Sequence, residues 1–260
     1  MKMIKKSIIN YKMLFAIVLS LGIFLYEMIH NMCIFESLHN ENKEDVLSIL
    51  GSVYALSIYM YAAGMLPQLP YSFSLADEKR SGVLKFELIR YGYKKYFIEK
   101  VVAVALSGMI TTSLPYLVVL IISFICGTPT TADNHIKVID GLVWGELFKY
   151  QNGGAIILLL KGILLALFGV FWAELAFLIS LFIYNKYITF ILPFIIYIFL
   201  HVLSFDAGLL KYANPKFMMR YDEELGAPLI LPFVCFGIYI LLTILVSDIR
   251  FRRMVKNGEI

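Results

Sequence analysis

The chain has 260 residues, 60% of them hydrophobic and only 16% charged, with a mean hydropathy of +0.78 and a formal net charge of +4. That is too little charge for a water-soluble domain of this length, and the several runs of roughly 18 or more mostly apolar residues mark membrane spans. Three widely separated cysteines, Cys33, Cys126 and Cys235, have neither a metal-ligand spacing nor the pattern of a disulfide framework.

At the N-terminus, Lys2, Lys5, Lys6 and Lys12 alternate with Ile4, Ile8 and Ile9, which predicts a short amphipathic helix on the membrane surface over 1–12. The apolar run that follows outlasts a signal-peptide core and has no small-residue cleavage site, so it is expected as a retained first span over 13–33. Glu27 and His30 lie one helical turn apart near its far end. A polar, acidic loop leads to a second span over 49–69, closed by Pro67 and Pro70, which cannot continue a regular helix.

The stretch Phe73 to Lys100 differs from everything around it. It holds Lys79, Arg80, Lys85, Arg90, Lys94, Lys95 and Lys100 against Asp77, Glu78, Glu87 and Glu99, with Val83, Leu84, Phe86, Leu88 and Ile89 among them. Such a mixture suits a helix that lies along a membrane surface or seats its apolar side in a partner's groove. A third span is expected over 101–126 with Pro115 inside it. The next apolar segment, 153–184, is too long for one upright span, so Lys161 is expected to snorkel to the interface and the fourth span to cover 162–184, with Glu174 near mid-depth. Asn185 and Lys186 make a tight turn into a fifth span over 187–203, which contains His201. A polar loop with helical pieces and a sixth span over 229–246 follow, and the tail carries Arg250, Arg252, Arg253 and Lys256.

The predicted fold is therefore an all-α integral membrane protein: one transmembrane domain over 1–260, six transmembrane helices, an amphipathic N-terminal helix and a cytoplasmic helix between spans two and three. With the N-terminus inside, 16 of the 23 Lys and Arg residues fall on the inner side, which satisfies the positive-inside rule and makes the chain a multi-pass protein of the cytoplasmic membrane with both termini cytoplasmic.

No phosphate-cradling Gly-x-x-x-x-Gly-Lys-Ser/Thr, no His-Glu-x-x-His and no Gly-x-Ser-x-Gly occurs, and His30, His39, His135 and His201 have no ligand-like spacing. No catalytic or metal-binding residue is expected, nor any contact with nucleic acid. Any use of ATP has to come from another subunit.

In order and spacing, Phe73, Glu78, Gly82, the apolar run Leu84 to Ile89, the basic turn Arg90 to Lys95 and Lys100 resemble the coupling region of type-2 ABC exporter permeases, the family with the ABCG-like type V fold. Val83 stands where that family often has Thr, Glu99 where it has Gly, and the proline of its basic turn is absent. The six-span layout resembles the family over nearly the whole chain. The resemblance implies a permease subunit that moves a peptide, lipid-like or amphipathic substrate outward, paired with an identical or homologous permease and driven by two cytoplasmic ABC ATPase subunits. Those ATPases, not this chain, would hold ATP and magnesium. It also implies that Phe73, Glu78, Arg80, Gly82, Leu84, Phe86 and Arg90 couple the ATPase to the spans.

Glu174, Glu27 and His30 are the polar residues of the spans that either line a substrate path or hold helices together. Two other functions fit the residues: an ion-coupled secondary transporter that uses Glu174, and a scaffold or sensor that recruits a cytoplasmic partner through 73–100. The null alternative for the central charges is simple anchorage to anionic lipid headgroups.

Overall fold

The computed structural model describes residues 7–8, 10–30, 46–47, 49–50, 59, 62–128, 147, 150, 152–183, 185–206 and 230–258, with the backbone alone for 201–206. Among the described residues the architecture is entirely helical: α1 Tyr11–His30, a 3₁₀ turn Leu66–Gln68, α2 Ser74–Arg80, α3 Val83–Tyr91, α4 Tyr93–Cys126, α5 Gly153–Ser180, α6 Lys186–Asp206 and α7 Leu231–Lys256. Four of these, α1, α4, α5 and α7, are long and apolar enough to cross a membrane, which makes the chain a multi-pass membrane protein. They fall on the first, third, fourth and sixth predicted spans. The fifth falls on α6, whose apolar portion Lys186–Leu200 is shorter. Residues 51–58, 60 and 61 of the second, and most of the N-terminal amphipathic helix over 1–12 and of the polar loop after span five, lie outside the described residues.

The helices α4 and α5 form the spine. Gly108 and Gly169 face each other so closely that a Cβ on either would stand 2.4 Å from the other's carbonyl oxygen. Small residues let two membrane helices approach and trade backbone contact for side-chain bulk. The seam carries its own hydrogen bonds: the Thr112 hydroxyl donates to the Leu165 carbonyl at 2.9 Å, and the Tyr116 hydroxyl to the Leu158 carbonyl at 2.7 Å. α4 runs unbroken through Pro115. Around it the hydroxyls of Ser107, Thr111 and Ser113 bond carbonyls of the preceding turn, at 2.7–2.8 Å. This is the usual way hydroxyl side chains serve the backbone of a proline-bearing membrane helix.

Two apolar cores result. One fills the bundle and is strongly aromatic: Trp172 meets Phe168, Phe171 and Tyr197, with Phe236 beside Phe168. The other sits at the end of the bundle where α4 starts and α5 and α7 finish. It joins Leu75, Leu84, Tyr96, Phe97, Phe177, Phe251 and Met254.

Several boundaries differ from the sequence reading. α4 starts at Tyr93 rather than near Val101, so its 34 residues extend about 51 Å. That exceeds a roughly 30 Å hydrocarbon core, and Lys94, Lys95 and Lys100 belong to the helix itself. α5 begins at Gly153 and passes straight through Lys161, whose side chain is fully buried and engaged instead of snorkelling outward. A lysine whose side chain is buried in the packed helix gives no reason for the helix to start after it. With the helix spanning 153–180, Glu174 lies in its last two turns, near the second core.

Candidate functional site

The central charged stretch folds as an elbow of three helical pieces separated by two glycines. Gly82 has φ +72° and Gly92 has φ +74° with ψ 153°. Both are conformations that side chains with a Cβ resist, the second open almost only to glycine. Gly82 ends α2, with its N–H bonded to the Lys79 carbonyl at 3.2 Å, and opens α3. Gly92 closes α3 by bonding the Leu88 carbonyl at 2.9 Å, and its own carbonyl accepts the first bond of α4, from the Tyr96 N–H at 3.1 Å.

The inner side of the elbow is tied down by one ion pair. Lys100 on α4 donates from Nζ to Glu78 Oε1 on α2 at 2.6 Å, and the Tyr96 hydroxyl donates to Glu78 Oε2. The lysine side chain is wholly buried and the glutamate side chain 14% exposed. The Lys100 ammonium also lies over the ring of Tyr71, 4.7 Å from its centroid, and near that of Tyr96 at 5.8 Å. Burial, reinforced by the Glu78 charge, holds the Tyr71 phenol above its ordinary pKa. Ser72 donates to the Ala173 carbonyl of α5 at 3.2 Å, which fastens the entry to the elbow.

The end of α7 is clamped to the same place. Phe251 stacks on Tyr93, Tyr96 and Phe97, with centroids 5.5–5.7 Å apart. Asp248 pairs with Arg252 at 2.6 Å and accepts from the Tyr93 hydroxyl, which in turn accepts from Arg252 Nε at 3.1 Å.

The outer side of the elbow is a ridge. Val83, Phe86 and Ile89 recur every three residues along α3 and are 42%, 74% and 83% exposed. Arg80, Lys85 and Arg90 are exposed beside them, and Lys94 and Lys95 continue the basic surface onto α4. The Arg90 guanidinium lies over Tyr91, 5.3 Å from its centroid.

The residues singled out in the sequence separate accordingly. Phe86, Arg80 and Arg90 face outward on or beside the ridge, and Gly82 is its hinge. Glu78 is spent on the internal pair with Lys100. Leu84 is 1% exposed and points into the second core rather than outward with the ridge. Phe73 is half-buried edge-on against Phe190 of α6, 5.7 Å away. Glu27 and His30 part company: Glu27 turns inward and is buried and engaged, while the exposed His30 ring stacks on Tyr26 at 5.5 Å. Glu174 is fully buried, and among the described residues nothing hydrogen-bonds either carboxyl oxygen. The side chain of His201, and the whole of His39 and His135, lie outside the described residues.

Ile89, Tyr93 and Lys100 fall within the stretch that carries the sequence resemblance but have no role of their own there, and Asp248 is not singled out by the sequence at all. Ile89 follows the same three-residue spacing as Val83 and Phe86, which is a legible signal. The pairings Glu78–Lys100 and Tyr93–Asp248 join distant residues and carry no local signal. Among the described residues no group of three or more His, Cys, Asp or Glu side chains is gathered as a metal site. The chain matches no protein-family model, no curated protein and no solved structure.

Proposed function

We propose that the chain is the transmembrane permease subunit of an ATP-driven exporter, and that the Val83–Phe86–Ile89 ridge docks in a groove of a cytoplasmic ATPase. The exposed ridge on a short helix, held at both ends by left-handed glycines and backed by a packed core, is the observation that carries this reading. An apolar ridge rimmed by Arg80, Lys85 and Arg90 fits an apolar groove with an acidic border, where charge sets register. A push on α3 would reach α4 through Leu84 and the Glu78–Lys100 pair, and α7 through Phe251, so motion of the ATPase would be delivered to the spans by a stiff element. The elbow would then be cytoplasmic together with both ends of the chain. ATP and magnesium belong to the ATPase, two ATPase and two permease subunits complete the exporter, and the cargo is a peptide, a lipid-like compound or another amphiphile. The test is purification from gentle detergent of the chain with Phe86→Glu and Gly82→Glu variants beside the wild type. A P-loop ATPase that accompanies the wild type and is lost or uncoupled in the variants supports the reading; no associated ATPase in any form overturns it.

A second reading rests on Glu174. A fully buried carboxyl with no hydrogen bond among the described residues is an expensive group to keep in a membrane helix and a default candidate for ion coupling. In that case proton uptake by proteoliposomes accompanies transport and disappears in Glu174→Gln.

A further inference from the structure

Beside the elbow, and independent of whether it docks an ATPase, a cavity of about 380 Å³ opens between the start of α1 and the start of α6. That volume is within the ~300–1,000 Å³ of small-molecule sites. Its floor is Phe15 of α1, Leu69 before the elbow, and Phe73 and Phe190, which pack edge-on at 5.7 Å. Two cations line it, Lys12 from α1 and Lys186 from α6, and Tyr11 and Tyr187 stand exposed at its rim.

An apolar, aromatic floor under paired ammonium groups is complementary to an anion that carries a hydrocarbon chain. Tyrosines at the rim are the residues that sit at the headgroup level of a bilayer. Basic pockets between membrane helices hold anionic headgroups by the same chemistry. Lys12 lies 3.7 Å from Asp77, but both side chains of that pair are substantially exposed, 37% and 51%, so it leaves the lysine available. A second copy of the chain would be a poor occupant, because a two-fold contact through this cavity would set Lys12 and Lys186 against their own images.

We propose that this cavity binds one anionic phospholipid of the surrounding membrane, with its phosphate between Lys12 and Lys186 and part of an acyl chain against Phe15, Phe73 and Phe190. The lipid would wedge α1 against α6 beside Phe73, at the entrance to the elbow, and so set the stiffness of that corner.

Native mass spectrometry of the full chain in detergent tests this, with phosphatidylglycerol and phosphatidylcholine of identical chains titrated in parallel. The wild type is expected to retain one phosphatidylglycerol under activation that strips phosphatidylcholine. The Lys12→Gln, Lys186→Gln double variant is expected to bind it about tenfold more weakly. The Lys94→Gln, Lys95→Gln double variant makes the same charge change on the exposed start of α4 and is expected to bind as the wild type does. Equal retention of the two lipids overturns the proposal, as does an equal loss in both double variants. Displacement of the lipid by soluble glycerol phosphate at comparable concentration also overturns it, because the site would then recognise phosphate without the chain. Thermal melts of all three proteins establish that the comparison is made on folded chains.

Discussion

Glu78 and Lys100, 22 residues apart, meet at 2.6 Å with the lysine side chain sealed from solvent. This pair joins α2 of the elbow to the long helix α4 across the edge of the second core. The Tyr96 hydroxyl completes it on the second carboxylate oxygen. Breaking such a pair from one side leaves a buried charge uncompensated, at a cost of about 3–5 kcal/mol. Glu78→Gln is therefore expected to lower the melting temperature in detergent by several degrees. Lys100→Met alone costs less, because Glu78 is nearer solvent. The combined Glu78→Gln, Lys100→Met variant recovers most of the loss, and thermal unfolding of the four proteins as a double-mutant cycle measures the coupling. Additive effects would deny the pair its role.

The Gly108–Gly169 contact makes a sharper prediction, because space alone decides it. A methyl on either glycine would stand 2.4 Å from a backbone oxygen, which cannot yield as a flexible side chain can. Gly108→Ala and Gly169→Ala should each destabilise by about 1–3 kcal/mol or more. Gly22→Ala and Gly237→Ala, where nothing lies within 4 Å, should be neutral or stabilise by up to about 1 kcal/mol through helix propensity. Chemical denaturation in mixed micelles ranks the four.

The two faces of α3 separate folding from docking. Leu84→Asp puts a charge into the second core beside Phe97 and Phe251 and should melt that end of the bundle, read as accelerated proteolysis within 73–100. Phe86→Glu changes a residue 74% exposed and should leave stability within about 0.5 kcal/mol of the wild type. A large stability loss in Phe86→Glu would mean that the ridge is packed rather than presented.

Glu174 predicts a gain. Removing a buried polar group that finds no hydrogen-bond partner among the described residues returns its desolvation penalty, about 1–3 kcal/mol. Glu174→Leu should raise the melting temperature by a few degrees, at roughly 2–4 °C per kcal/mol for a chain of this size. A fall instead would show that the carboxyl holds the bundle together. Stabilisation with loss of transport would identify it as a group retained for function at the expense of stability.

Membrane character, helical class and the position of four long helices follow from hydropathy summed over about 20 residues, a property any window of the sequence carries by itself. The gathering of Lys12, Lys186, Arg250 and the charged elbow at one end was likewise legible, because alternating spans return the chain to the same side. Gly82 stood out in the sequence only as a position of the family resemblance, whereas its φ of +72° between α2 and α3 is a feature of the folded chain. Which side of α3 is free was not legible: Leu84 and Phe86 are equally apolar, and only the aromatic cluster of Phe97, Phe177 and Phe251 decides that one is buried and the other presented. Lys161 misled for the same reason. Its charge predicts an interface, whereas its side chain is buried and α5 already begins at Gly153, which sets Glu174 in the last two turns of the helix. Local composition determined what crosses the bilayer. The tertiary structure alone decided which charges are consumed within the fold and which stay exposed, because pairing depends on what distant helices bring within 3 Å.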